Sequence, residues 1–251
     1  MNTTEFIKYL GLFIVFSILI YHFYCVIKKN KAASIEADVK EASLGKEGML
    51  KHIKPHKDEI QELYQETYES TVKALTKTIE AKDTYISGHC DRVTELSLKT
   101  AKYLGLNDEK INKIKIAAIL HDIGKIGIPE SILNKPDKLT PEEYSIVKTH
   151  PSIGYEILSD IDYLDNIREI IYQHHERYDG KGYPLGLKGN NMLTEAKILA
   201  LADAFDAMTS ERPYRKPFTV DEAIEEIKKN SGTQFDPDIA SVFIEMIQKE
   251  Y

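Results

Sequence analysis

Five histidines and two aspartates, spread from residue 89 to residue 203, constrain this chain more than any other feature. His89, His121, His150, His174 and His175 are every histidine beyond residue 88. Asp122 directly follows His121, and Asp203 ends the stretch Leu199-Ala-Leu-Ala-Asp203. Imidazole and carboxylate suit first-row divalent cations, and seven such groups exceed what a mononuclear centre uses. The spacing points to a dinuclear metal hydrolase, in which two neighbouring cations clamp an in-line displacement. Taken singly, the residues have plainer readings: His174-His175 as a surface pair, Asp203 as a helix residue paired with a lysine. The set is harder to dismiss. The segment from Ala117 to Lys125 also places His121, Asp122 and Lys125 directly after an apolar run, where charge is tolerated chiefly when paired or metal-bound.

The surrounding pattern predicts an all-α fold. Val93, Leu96, Thr100 and Leu104 trace one face of a helix beginning near His89. Ile111, Ile114, Ala118 and Ile119 lead into His121-Asp122, with Gly124 expected to loosen the helix beyond. His174-His175 closes the apolar helix containing Ile167, Ile170 and Ile171. Thr140-Pro141-Glu142-Glu143 carries an N-cap, a proline at the first helical position and a capping-box glutamate, and Thr219 with Glu222 repeats the box. Asp236-Pro237 opens the last helix, and glycines with Pro184 mark a loop between Asp179 and Gly189. No alternating strand pattern of useful length appears. The expectation is a helical bundle that projects its ligands inward from several helices.

The first part of the chain reads differently. Residues 1–8 precede an apolar run from Tyr9 to Ile27, in which Ser17 and His22 are the only clearly polar residues. At about 1.5 Å per residue such a run just crosses a hydrocarbon core of roughly 30 Å. Lys28, Lys29 and Lys31 follow at once, against Lys8 alone before it. That bias predicts an uncleaved single-pass anchor in the cytoplasmic membrane, with residues 1–8 outside and the remainder in the cytosol. A cleaved signal peptide fits less well, since the n-region is almost uncharged. Residues 28–77 read as a charged linker followed by a connecting helix marked by Leu63, Tyr64, Tyr68, Val72, Leu75 and Ile79. Regulation is expected from the membrane, a protein partner or a second copy of the chain. The net charge of −7 argues against polymeric nucleic acid as a partner. Cys25 and Cys90, the two cysteines, form no disulfide framework, which fits a reducing compartment.

The motifs together are similar to one family. His121-Asp122-Ile-Gly-Lys125, His150-Pro151, and His174-His175-Glu176-Arg-Tyr-Asp179-Gly180-Lys-Gly182-Tyr183-Pro184 resemble the HD-GYP branch of the HD-domain phosphohydrolases. Gly88-His89, Asp203 and Thr209-Ser-Glu-Arg212-Pro-Tyr-Arg215 extend the resemblance over 78–251. It implies an HD-domain-like bundle and a phosphodiesterase that hydrolyses cyclic di-GMP, a bacterial second messenger, to linear pGpG or GMP.

It also implies roles. His89, His121, Asp122 and Asp203 would hold one metal, and Asp122, His150, His174 and His175 the other, with iron or manganese favoured. If Asp122 bridges, the protein fills roughly eight of the about twelve positions of two octahedral ions. Roughly four remain for a bridging hydroxide and two phosphate oxygens. Asp122 and Lys125 are the catalytic candidates, Lys125 standing one helical turn from Asp122 where it can reach phosphate. Arg212 and Arg215 are spaced to grip phosphates; Tyr183 would stack on guanine or bond phosphate, with Gly182 and Pro184 shaping its loop. Glu176 and Asp179 are expected to support ligands or loop. Three-metal relatives carry a glutamate four residues before the first histidine ligand, where this chain has Tyr85, so two metals are expected. Cys90 stands where serine is frequent and reads as a small packed side chain.

Overall fold

The computed structural model describes residues 70–72, 74, 76–77, 82, 88–161, 164–211 and 216–250, and within them the runs of apolar residues three and four apart become helices. The elements are α1 (His89–Tyr103), α2 (Asp108–Leu120), a 3-10 turn (Ile123–Gly127), α3 (Glu130–Leu133), α4 (Pro141–Val147) and α5 (His150–Ile157). They continue with α6 (Asp165–Gln173), a second 3-10 turn (Gly189–Asn191), α7 (Thr194–Thr209), α8 (Val220–Asn230) and α9 (Pro237–Glu250). Among the described residues the only β pairings are isolated bridges, Asp179 with Lys188 and Ser231 with Phe235. The chain divides into two units, 1–71 and 72–251, and apart from Ser70 and Thr71 the first lies outside the described residues. So do the span expected at 9–27, Tyr85, Arg212 and Arg215. No helix among the described residues is long and apolar enough to cross a membrane.

α2 is the centre of the bundle because its second half, from Ile114 to Leu120, is apolar apart from Lys115, the pattern of a helix end enclosed by others. Ile114, Ile116, Ala117, Ala118 and Leu120 are all buried, and α1, α6 and α7 pack around it. Truncating Ile114, which is 0% exposed, would cost about 2–5 kcal/mol through lost contacts and a cavity. α8 is amphipathic instead, burying only Ala223, Ile224 and Ile227, and it covers the flank of α7 and α9. Both expected capping boxes form: Thr140 with Glu143 on α4 and Thr219 with Glu222 on α8, each cap contributing about 1 kcal/mol. The expected loop between Asp179 and Gly189 forms too, and Cys90 is buried.

The neighbourhood of Gly124 differs from expectation in an instructive way. α2 ends at Leu120, before the glycine, which lies within the 3-10 turn. A Cβ on Gly124 would sit 1.8 Å from the His150 carbonyl oxygen and 2.6 Å from the Gly154 nitrogen. The residue therefore permits backbone-to-backbone contact between the turn and α5. That contact brings the start of α5, and His150 with it, against Asp122.

Candidate metal centre

Helix ends supply most of the site. His89 and His150 are the first residues of α1 and α5. His121 and His174 stand at the C-termini of α2 and α6, with Asp122 and His175 next in line. Only Asp203 comes from mid-helix, on α7. The last carbonyls of a helix lack intrahelical partners, and three imidazoles use such oxygens. His121 Nδ1 donates to the Ala118 carbonyl at 2.7 Å, His150 Nδ1 to Val147 at 2.8 Å, and His174 Nδ1 to Ile171 at 2.5 Å. His89 Nδ1 meets a side chain instead, Asp206 Oδ2 at 2.7 Å. That carboxylate is held in turn by Arg92 through Nε and, at 3.1 Å, through Nη2.

With Nδ1 committed, the Nε2 atoms converge. The donors fall into two triads, His89 with His121 and Asp203, and His150 with His174 and His175, each with its ligand atoms within 4.8 Å of one another. Asp122 lies between them. Its Oδ2 is 3.5 Å from His121 Nε2 and 3.9 Å from His89 Nε2, while Oδ1 is 3.5 Å from His150 Nε2. His150 and His174 bring their Nε2 atoms to 3.3 Å. Since both Nδ1 atoms donate, both Nε2 atoms are lone-pair acceptors, and their proximity is repulsive without a shared cation. Two nitrogens bound to one ion at roughly 2.1 Å lie about 3 Å apart. The donor set thus fits divalent metal.

The electrostatics of the triads differ. Burial lowers His89, but its bonds to Asp203 and Asp206 more than reverse this and raise the pKa to about 9. Burial also works against charge on Asp203 and Asp122. His89 offsets it for Asp203, and Lys125 with the histidines for Asp122, so both carboxyls stay well below the usual carboxylate range. In the other triad burial dominates: His150 is lowered, His174 falls well below 6.5 and His175 falls to about 3. One half is ionic and the other is a nest of neutral imidazoles.

The remaining candidates line the approaches. Lys125 Nζ is 2.8 Å from Asp122 Oδ2, beside the seam between the triads. The turn that carries it is clasped by Lys82, whose ammonium donates to the carbonyls of Lys125, Ile126 and Ile128 at 3.2, 2.5 and 2.6 Å. The Tyr183 ring lies 4.9 Å from that of His175; burial, then Tyr144, Asp203 and Asp122, push its pKa up, so it acts as a neutral phenol. Gly182 faces protein: a Cβ there would come within 2.4 Å of the Arg177 nitrogen and 2.6 Å of the His175 oxygen. The loop is therefore folded down on the His-His-Glu turn. Glu176, 2% exposed, fastens it by accepting from the Leu185, Gly186 and Leu187 amides at 2.6, 3.0 and 2.9 Å. Asp179 pairs with Arg177. A cavity of about 590 Å³ opens on His175 and Asp203, which are also less buried than the other five candidate ligands.

Sequence reasoning missed Asp206, Arg92, Lys82 and Lys148. Asp206 and Arg92 stand one turn beyond Asp203 and His89, a same-face spacing that can be read once the helices are assigned. Lys148 reaches over the Tyr144 and Tyr183 rings, 5.0 and 5.8 Å from their centroids, a cation–π arrangement that only the folded chain brings together.

The family model of the HD domain matches residues 73–239. The chain is 43% identical over 175 residues to the cyclic di-GMP phosphodiesterase response regulator RpfG of Xanthomonas campestris, covering 69% of this chain and 46% of that protein. It is 42% identical over 185 residues to a cyclic di-GMP phosphodiesterase of Thermotoga maritima, covering 73% and 50%. The chain thus spans about half the length of these curated relatives. Its fold matches the crystal structure of a cyclic GMP-AMP specific phosphodiesterase of Vibrio cholerae (V-cGAP3), with a TM-score of 0.55 at 19% identity over 71% of this chain and 48% of that one.

Proposed function

We infer the function from one premise: the chain belongs to the HD-domain family of metal-dependent phosphohydrolases, in its HD-GYP branch. We propose that it is a cyclic di-GMP phosphodiesterase releasing pGpG or GMP, and that it works with two divalent ions, iron or manganese. The observation that carries this reading is the pair of triads joined through the two oxygens of Asp122. His89, His121 and Asp203 would hold one ion and His150, His174 and His175 the other, with Asp122 shared. When bound, such ions supply Lewis acidity toward a phosphodiester oxygen and acidify water.

The protein's own groups have separate tasks. The Nδ1 tethers keep the ligand lone pairs aimed, so little reorganisation is needed when charge develops. Lys125, at the seam, supplies positive charge within reach of a nonbridging phosphate oxygen. Tyr183, packed against His175 and neutral, offers a ring face or a hydroxyl to the substrate. We further propose that the 9–27 span anchors the chain in the cytoplasmic membrane and that the catalytic unit faces the cytosol, where cyclic dinucleotides are met. Reporter fusions after residue 60 test that orientation.

The activity is tested by loading the full chain with manganese or iron(II) and offering cyclic di-GMP, 3′3′-cGAMP, cyclic di-AMP and pGpG. Metal-dependent loss of cyclic di-GMP is the expected outcome. A fully metallated protein that leaves every cyclic dinucleotide intact overturns the reading in favour of a nucleotide-binding scaffold, and preference for a different dinucleotide reassigns the substrate.

A further inference from the structure

The cavity beside His175 and Asp203 has a polar wall that the hydrolytic chemistry leaves unused. Arg177 donates from Nη1 to Gln234 Oε1 at 3.0 Å, while its Nε and Nη2 engage Asp179. Glu226, on α8, faces the same space; its Oε1 accepts from Asn230 Nδ2 at 2.9 Å, and Oε2 stands 3.7 Å from Lys229. Phe218 and Phe235 add apolar lining. Two other carboxylates border the cavity, and both are committed: Asp203 to the metal ligands, Glu176 to three loop amides. Glu226 has partners only on its own helix, Asn230 and Lys229, and its side chain is 41% exposed, so it is the carboxylate of this wall that a ligand can reach.

We propose that this wall is the nucleobase subsite and that Glu226 selects guanine over adenine. Guanine presents N1–H and the N2 amino group side by side, a donor pair that one carboxylate accepts together. Adenine presents an acceptor at N1 and no amino group at C2, so the same carboxylate meets a lone pair. Arg177, held by Asp179 and Gln234, adds positive charge to the same wall. Asn230 fixes the Glu226 carboxylate as Gln234 does the guanidinium, leaving little rotamer freedom to lose on binding. The cavity falls in the usual range of roughly 300–1,000 Å³ for small-molecule sites. Its contact with a ligand from each triad joins base recognition to the place where the phosphodiester would be cut. The inference rests on the cyclic dinucleotide reading and adds to it a base and a residue.

The test compares wild type, Glu226→Gln and Glu226→Ala as full chains. Rates on cyclic di-GMP and cyclic di-AMP are measured, together with calorimetric affinities for GMP and AMP. Wild type is expected to favour guanine in both assays. Each variant is expected to reduce that ratio about tenfold or more, the scale of a lost paired contact to a base, with its thermal midpoint unchanged. Equal affinity of wild type for GMP and AMP, or an unaltered ratio in both variants, overturns the subsite. If wild type hydrolyses no cyclic dinucleotide, the functional reading fails, while the GMP-to-AMP affinity ratio still decides the subsite.

Discussion

The two halves of the centre are oriented by different means. In the His150, His174 and His175 half, the Nδ1 atoms of His150 and His174 bond to main-chain carbonyls at helix ends. In the other half His121 bonds in the same way to the Ala118 carbonyl, but His89 relies on a side-chain clamp, Asp206 held by Arg92. A carbonyl oxygen is present whatever residue carries it, whereas a carboxylate can be removed by one substitution. The first half is therefore insensitive to most changes around it, and the second can be tuned. Their electrostatics divide the same way, neutral imidazoles against an ion-paired cluster.

Three experiments test this contrast. The largest effect is expected from Asp122→Ala, which removes the side chain facing both halves. Turnover should fall by more than about 100-fold, beyond the range typical for loss of an outer partner, and metal affinity should drop in both halves. A variant keeping roughly a tenth of the wild-type rate would show that Asp122 does not join them. Next comes Asp206→Ala, expected to weaken metal binding at the His89 half by about 10- to 100-fold while leaving the other half unchanged. Competition titrations that show both halves weakening equally would remove the distinction.

The smallest effect concerns protons. With a pKa raised to about 9, His89 is protonated at neutral pH in the metal-free protein and must lose that proton to become a ligand. Uptake at its half should strengthen as pH rises towards 9 and release a proton, measurable by calorimetry in buffers of different ionisation enthalpy. The His150 half is already neutral, with His175 near 3, so its uptake should be flat above pH 7. The same raised pKa stabilises the metal-free fold fully below 6.5, and that contribution is lost as pH climbs through about 9. Equal proton release from both halves would contradict the assigned charge states.

The seven side chains gathered at the centre are ones the sequence singles out, because metal-ligating residue types at the ends of apolar helical runs are conspicuous. The helical class was legible for the same reason, since the apolar intervals and capping boxes are local signals. The clamp was not. Arg92 and Asp206 are brought together only by the packing of α1 on α7, and neither is unusual for an exposed-looking helix position. Gly124 reads in the sequence only as a residue that loosens the helix, whereas its tighter constraint, the His150 carbonyl pressed against it, belongs to a distant segment. The same limit applies to Lys82, whose three carbonyl partners lie beyond local reach.

Glu176 has a consequence for recognition. By collecting the amides of residues 185–187 it leaves the loop around Tyr183 with few alternative shapes before any ligand arrives. A mobile loop would surrender conformational entropy on closing over a substrate, subtracting from affinity. Here that ordering is done during folding, so the substrate contacts proposed for Tyr183 would appear almost undiminished in affinity.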